Sequence, residues 1–214
     1  VHQFLYNGFY YQPQTGALMW ASNSCLWLFY CCNGIFMMLT GYLKCEKKFT
    51  KEYYKSLIPI LMGYLFCCVI IFPLQYLLLA EKPPMSEWIK KLVQFGNYAW
   101  YVEMYIGLFL LIPYLNVLYN GLAGRRQRQG LILTLLVMTA FTGLVNCLVP
   151  SADGGWEFSR EVSLYQTILP DWWHKIYPLT YYFVGAYLRD HPLNLSKKRN
   201  ALFLLLALTG NATL

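Results

Sequence analysis

The sequence predicts an all-α fold, a polytopic helical bundle that spans a membrane. Two features of the composition support this prediction: 57% of the 214 residues are hydrophobic and only 13% are charged, whereas soluble domains carry about 25% charged residues. The third observation is the arrangement of the charges, because the Lys and Arg residues cluster between long apolar runs. Arguments from the size of a water-soluble core therefore do not apply to this chain.

Six apolar runs are candidates for spanning helices. A helix needs about 20 mostly apolar residues to cross the hydrocarbon layer, where no water satisfies open backbone groups. The fifth run is short and contains several aromatic residues. The predicted spans are residues 26–43, 57–79, 97–119, 131–150, 176–188 and 201 onward. We expect residues 1–6 to end a further helix, so that residues 1–214 form a single transmembrane domain that lacks both ends.

The distribution of cationic residues predicts the orientation in the membrane. Most of the 17 Lys and Arg residues lie in residues 44–55, 121–130 and 189–199, and few lie in residues 81–91 and 151–175. Because cytoplasmic loops are enriched in Lys and Arg, we expect the first set to be cytoplasmic, in the plasma or inner membrane. The net charge of +7 is thus explained by topology in a lipid bilayer and does not indicate nucleic-acid binding.

The loops on the other side are rich in aromatic residues, which have two explanations. Trp and Tyr are typical of the aromatic belt at a membrane–water interface, and aromatic faces also stack on sugar rings. The seven Cys residues show no Cys-x-x-Cys or Cys/His spacing, so no metal site is predicted. We expect the cysteines to be small packing residues with free thiols.

One carboxylate lies inside an apolar run. Glu103 is the only acidic or basic residue between positions 97 and 116. A charged group at bilayer depth costs on the order of 3 kcal/mol, so it usually faces a polar cavity or a partner. Two interpretations follow: Glu103 is hydrated near the outer interface, or it lines a polar site together with Trp100 and Tyr101.

His2 is a second candidate for chemistry. Imidazole is the side chain best suited to move a proton near neutral pH. A lone His is nevertheless more often a structural hydrogen-bonding residue than a catalyst, and both interpretations stay open on composition alone.

Three stretches, in their order and spacing, resemble the acyltransferase 3 family of integral membrane O-acyltransferases. Residues 33–61 (NGIFMMLTGYLKCEKKFTKEYYKSLIPIL) resemble the segment in which an apolar run meets a Ser-Gly-Tyr-Leu turn, followed by basic residues and a Pro-containing helix. We therefore expect residues 39–44 (LTGYLK) to form a turn that ends the first span. Thr40 stands where Ser is usual, and Lys55 where Arg is common. Residues 100–116 (WYVEMYIGLFLLIPYLN) resemble the Trp-Tyr helix that ends in Pro, Leu and Asn, and residues 177–188 (YPLTYYFVGAYL) resemble the later Tyr-rich segment. Members have roughly ten spans, of which this chain would hold six to seven.

The resemblance implies an enzyme that moves an acyl group, often acetyl, from cytoplasmic acyl-CoA to a hydroxyl of a glycan or other cell-envelope acceptor. Acyl-CoA is then a substrate, and no bound cofactor is implied. His2 matches the position of a family His near the outward end of the first helix and would be the general base or an acyl relay. Glu103 would orient a His or Arg or bind the acceptor near Trp100 and Tyr101. Asn33 and Tyr42 are candidate donors to the oxyanion.

Two other functions remain open at this point. A transporter or flippase of an envelope precursor would also need an intramembrane carboxylate, a His and an aromatic polar cavity. A small structural or sensory membrane protein would need none of these residues for chemistry. The Lys residues that follow Gly41 lie on the side where CoA phosphates would bind, and topology alone also explains them.

Overall fold

The computed structural model describes residues 15–78, 84–86, 89–90, 100–150, 156–158, 168–193 and 195–213. Helices dominate these ranges, which confirms the predicted all-α class; one pair of very short strands is also present. The elements are α1 (Ala17–Lys44), α2 (Lys51–Lys55), α3 (Ile58–Leu78), α4 (Trp100–Gly121), α5 (Arg125–Leu136), a π-helical turn (Val137–Phe141), α6 (Thr142–Asn146), β1 (Leu148–Pro150), β2 (Trp156–Phe158), α7 (Asp171–Lys175), α8 (Tyr177–Asp190) and α9 (Lys197–Thr213).

Four helical segments in the described part of the chain are long and apolar enough to cross a membrane. They are Ala17–Lys44, Lys51–Leu78, Trp100–Gly121 and Arg125–Asn146. These segments match the first four predicted spans, and the chain is an integral membrane protein. The other two predicted spans are also helical, but α8 has 14 residues and α9 has 17, fewer than the about 20 that a straight crossing needs.

Three predicted boundaries are wrong. The first span begins at Ala17, and it continues as helix through Lys44, so residues 39–44 form no turn. The fourth span begins at Arg125 rather than at residue 131, since Arg and Gln are good helix formers even outside an apolar run. It ends at Asn146, because Leu148–Pro150 pairs with Trp156–Phe158 as an antiparallel strand.

The chain divides into two compact units, Val1–Tyr42 with Tyr181–Leu214, and Leu43–Thr180. In the first unit, α1 and α8 meet at two glycines. A Cβ atom on Gly41 would overlap the carbonyl oxygen of Tyr182, and a Cβ atom on Gly185 would overlap the carbonyl oxygen of Met38. Small residues let two backbones touch, which is how helices associate in lipid. The residues of this unit that are almost fully buried are Leu26, Met37, Tyr182, Phe183 and Ala186.

The second unit contains α2 to α7. Thr50 caps α2, because its hydroxyl accepts a hydrogen bond from the Tyr53 amide at 3.1 Å. The continuous helix formed by α5, the π-helical turn and α6 packs against α7. The buried apolar residues of this unit are Cys45, Tyr53, Cys68, Leu108, Phe109, Ile112, Tyr119 and Leu135. The four that are least exposed belong to α4, which therefore forms the centre of this unit.

Candidate functional site

Three of the predicted site residues lie together at the start of α4. The rings of Trp100 and Tyr101 are edge to face, with their centroids 6.0 Å apart. Glu103 lies in the first turn of the same helix, and its side chain is exposed. A carboxylate in the first turn of a helix interacts favourably with the free backbone amides and the positive end of the helix dipole.

The predicted oxyanion donors belong to α1. Asn33 is half-buried, and its side-chain oxygen accepts a weak hydrogen bond from the Cys32 thiol, Sγ to Oδ1 3.7 Å. The Tyr42 ring is exposed, and its backbone carbonyl accepts a hydrogen bond from Arg189 Nη1 at 3.0 Å. Asn33 and Tyr42 are separated by about 13 Å along the helix axis, so they do not bind one small group together. His2 lies outside the described residues.

A polar clamp fixes the C-terminal end of α1 within the second unit. The Asn116 side chain is 4% exposed, and its Nδ2 donates hydrogen bonds to the carbonyl oxygens of Lys44 at 2.8 Å and Lys47 at 2.7 Å. The last carbonyl groups of a helix have no donor left inside the helix, so they need one from outside. Asn116 of α4 supplies it and thereby orders the beginning of the basic loop.

A second contact compensates for the proline in α4. Pro113 has no amide hydrogen, so it cannot donate the usual helical bond to the carbonyl of Phe109, four residues earlier. The Tyr53 hydroxyl donates to that carbonyl at 2.7 Å. The Tyr53 and Phe109 rings are also stacked, with centroids 4.3 Å apart and planes at 9°. The short helix α2 is thus held against the point where α4 lacks a donor.

Cations lie over aromatic rings beside these two contacts. Lys44 Nζ is 4.6 Å from the centroid of the Phe109 ring and 5.7 Å from that of Tyr53, and the Arg128 guanidinium is 4.6 Å from the centroid of Tyr119. Such cation–π contacts contribute about 0.5–2 kcal/mol. Tyr119 follows Asn116 by one helical turn, so α4 brings two basic segments to one end of this unit. We call that end the basic end; its cations are Lys44, Lys47, Lys48, Lys51, Lys55, Arg125, Arg126 and Arg128.

A buried polar cluster lies near the other end of the α5–α6 helix. Thr139 in the π-helical turn donates its hydroxyl to the Leu135 carbonyl at 2.7 Å, and its oxygen is 3.1 Å from the Thr180 hydroxyl oxygen. Thr139 and Thr180 are both buried. The Thr139 carbonyl oxygen is 3.3 Å from His174 Nδ1. Such π-helical turns frequently occur at functional sites.

The segment that leads into α7, the short helix that contains His174, is tied to the α5–α6 helix. The Asn146 side chain makes two hydrogen bonds with the backbone of Leu169, one to the carbonyl oxygen and one from the amide, both 2.9 Å long. Asp171 and Lys175 form an ion pair of 2.7 Å along α7. The Asn146 contacts thus position the chain where it enters α7. Within α7, the rings of Trp172 and Trp173 are edge to face with their centroids 6.1 Å apart.

Sequence reasoning did not identify Asn116, Tyr53 or His174 as site residues. Two of them had a local signal. Asn116 is a polar residue inside an apolar helix. For Tyr53 the signal was indirect, because Pro113 leaves a carbonyl without its helical donor, and another group must supply one. The sequence does not say which side chain supplies that donor, because Tyr53 is far from Phe109 along the chain. His174 had no signal beyond being one of three His residues.

The described residues contain no group of three His, Cys, Asp or Glu side chains placed to hold a metal ion. All seven cysteines are free thiols; Cys45 and Cys68 are buried, whereas Cys25, Cys31 and Cys67 are exposed.

Comparison with known proteins gives one match. A family model described as an acyltransferase domain, acyltransferase 3, matches residues 1–214, which is the whole chain. No curated protein and no solved structure matches this sequence.

Proposed function

Because this chain belongs to the acyltransferase 3 family, whose members transfer acyl groups, we propose that it moves an acetyl group from acetyl-CoA to a hydroxyl of a glycan or other cell-envelope acceptor. The observation that carries the proposal is the family match over residues 1–214. Acyl-CoA is the donor substrate, and the protein needs no bound cofactor for the transfer. The protein acts within the lipid bilayer, with the basic end on the cytoplasmic side of the plasma or inner membrane.

The basic end supports the assignment of the donor side. Its side chains Lys47, Lys48, Lys51 and Lys55 are exposed, while Asn116 and the α2–α4 contact order the backbone that carries them. An ordered cluster of exposed cations attracts the phosphate groups of CoA. The same cations also satisfy the positive-inside rule, so a test must separate donor binding from topology.

In the proposed reaction, His2 takes the proton of the acceptor hydroxyl while the oxygen of that hydroxyl attacks the carbonyl carbon of the thioester. The new C–O bond forms, the C–S bond breaks, and the departing CoA thiolate receives the proton. The tetrahedral intermediate carries an oxyanion that needs a hydrogen-bond donor. Asn33 and Tyr42 are the proposed donors, and their separation along α1 allows only one of them to act directly.

Glu103, Trp100 and Tyr101 are proposed to bind the acceptor. The carboxylate accepts hydrogen bonds from hydroxyl groups, and the two aromatic rings offer an apolar face to a sugar ring. Their common position at the start of α4 supports this assignment.

The test uses purified full-length protein in lipid nanodiscs with acetyl-CoA and a glycan acceptor. We expect release of CoA thiol and formation of an acetyl ester, detected by mass spectrometry. His2→Ala should abolish ester formation, while His191→Ala, at a His stacked on Tyr187, should leave it intact. Ester formation by the His2 variant at the wild-type rate would exclude His2 as the base. Movement of the acceptor across the membrane without consumption of acetyl-CoA would identify a flippase instead.

A matched pair of variants tests donor binding. Lys48→Glu at the basic end should raise the KM for acetyl-CoA by about tenfold, since loss of a charged contact and charge repulsion together cost about 1.4 kcal/mol. Lys90→Glu, at an exposed Lys outside the basic end, should leave that KM unchanged. Equal KM values for both variants would show that the basic end does not bind acetyl-CoA and that its cations only set the membrane topology.

A further inference from the structure

A backbone contact assigns one nitrogen of the His174 imidazole as a hydrogen-bond donor. Its Nδ1 is 3.3 Å from the carbonyl oxygen of Thr139. A carbonyl oxygen only accepts hydrogen bonds, so Nδ1 must carry the hydrogen. In the neutral ring, the other nitrogen, Nε2, is then an acceptor. Among the residues that the structure describes, Nε2 has no hydrogen-bond partner, and the His174 side chain is exposed.

The backbone around Thr139 is shaped to admit the ring. Gly143 follows Thr139 by one helical turn, and a Cβ atom at Gly143 would lie 3.3 Å from His174 Nδ1. That distance is shorter than an ordinary van der Waals contact, so glycine at position 143 leaves space for the His174 ring. From the other direction, Asn146 fixes the backbone of Leu169 with two hydrogen bonds. Together the two features hold His174 of α7 beside the π-helical turn.

Aromatic residues flank His174 in the sequence, and one of them contacts its ring. The Tyr177 ring lies with its centroid 5.9 Å from that of His174. Trp172 is 59% exposed and is edge to face with Trp173. Ligand sites that combine aromatic surfaces with one well-placed polar atom suit molecules that have an apolar face and a hydroxyl edge. A sugar ring has this character.

We propose that His174 is a hydroxyl-binding residue, whose Nε2 accepts a hydrogen bond from a hydroxyl group of the acyl acceptor while the sugar-like ring packs on the neighbouring aromatic side chains. This inference rests on the proposed function for the identity of the ligand as the acceptor. It assigns His174 a binding role and leaves the proton transfer to His2.

The first experiment measures binding without turnover. Diethyl pyrocarbonate modifies an imidazole nitrogen that carries no proton, which in His174 is Nε2. The protein in nanodiscs is treated with the reagent, with or without methyl glucoside, and modification is quantified by peptide mass spectrometry. At a concentration of methyl glucoside that occupies about 80% of the sites, modification of His174 should slow by about fivefold, and modification of His191 should not change. Permethylated methyl glucoside, which has no hydroxyl group, should give no protection. Equal modification of His174 with and without methyl glucoside would overturn the proposal.

The second experiment measures turnover with variants. His174→Phe keeps an aromatic ring and removes the acceptor nitrogen, so the KM for methyl glucoside should rise about fivefold while the KM for acetyl-CoA stays unchanged. Gly143→Ala should raise the same KM by a smaller factor, because the new methyl group shifts the imidazole by a few tenths of an ångström. Far-UV circular dichroism checks the fold of both variants. An unchanged acceptor KM in His174→Phe would refute the binding role.

The two proposals fail in different ways. Absence of CoA thiol release and ester formation in the wild-type protein would refute the acyltransferase reaction, while protection of His174 by methyl glucoside would still support the binding site. Full acyltransferase activity without any protection of His174 would refute the binding site alone.

Discussion

Replacing Tyr53 by Phe removes a single hydroxyl group and tests how α2 is attached to α4. The Tyr53 hydroxyl donates to the Phe109 carbonyl at 2.7 Å, and both residues are buried. Pro113 cannot donate to that carbonyl. In the Tyr53→Phe variant, the carbonyl is therefore left buried without this donor, while the ring stacking at 4.3 Å is preserved. We expect a loss of about 2 kcal/mol in the free energy of unfolding, from one hydrogen bond and an unsatisfied buried acceptor.

If the Tyr53 hydroxyl replaces the amide hydrogen that Pro113 lacks, the effects of Tyr53→Phe and Pro113→Ala on stability should be coupled. In a Pro113→Ala background, the residue at this position regains an amide hydrogen that donates to the Phe109 carbonyl within the helix. Removing the Tyr53 hydroxyl should then cost only about 0.5 kcal/mol, because the carbonyl keeps a donor. The double-mutant cycle should thus give a coupling energy of about 1.5 kcal/mol, a magnitude typical of residues in one hydrogen-bond network.

The assay is reversible unfolding in mixed micelles with increasing sodium dodecyl sulfate, followed by far-UV circular dichroism. All four proteins of the cycle are measured under the same conditions, so that the effect of Pro113→Ala on the helix itself cancels. Equal losses from Tyr53→Phe in the wild-type and Pro113→Ala backgrounds would refute the idea that the hydroxyl replaces the missing amide hydrogen.

Three further predictions concern packing, the clamp and the site. Gly41→Ala should destabilise the protein by about 2 kcal/mol, because its Cβ atom would overlap the Tyr182 carbonyl oxygen. The control Gly63→Ala, with open space around it, should be neutral or stabilising by up to about 1 kcal/mol. Thermal unfolding measures both variants, and equal effects would contradict the close approach of α1 and α8 at Gly41. Asn116→Ala should speed cleavage by trypsin in the basic loop after α1, since two backbone carbonyls lose their donor; an unchanged cleavage rate would argue against the clamp. Glu103→Gln should lower kcat/KM for the acceptor by about tenfold through loss of a charge-assisted hydrogen bond, and unchanged turnover would support hydration at the interface.

The helices could be predicted from the sequence because each is decided by nearby residues. Apolar runs of sufficient length predicted four spans that the structure confirms. The predicted turn at residues 39–44 was wrong, because a Gly next to Thr and Tyr is typical both of a helix end and of a helix crossing. Only the partner helix distinguishes the two cases, and here α8 approaches Gly41. Whether Glu103 meets a substrate stays a prediction, although its place in the first turn of α4 is now known.

The sequence by itself determined that the chain crosses a membrane, where its helices lie and which loops carry the cations, since hydrophobicity, helix length and charge are local properties. The tertiary structure alone decided which donor reaches which acceptor: Tyr53 at the Phe109 carbonyl, Asn116 at the end of α1, and His174 at Thr139. Each of these pairs is distant in sequence. Their hydrogen bonds depend on angles and separations that exist only after the helices have packed, because a hydrogen bond weakens steeply once its geometry is lost.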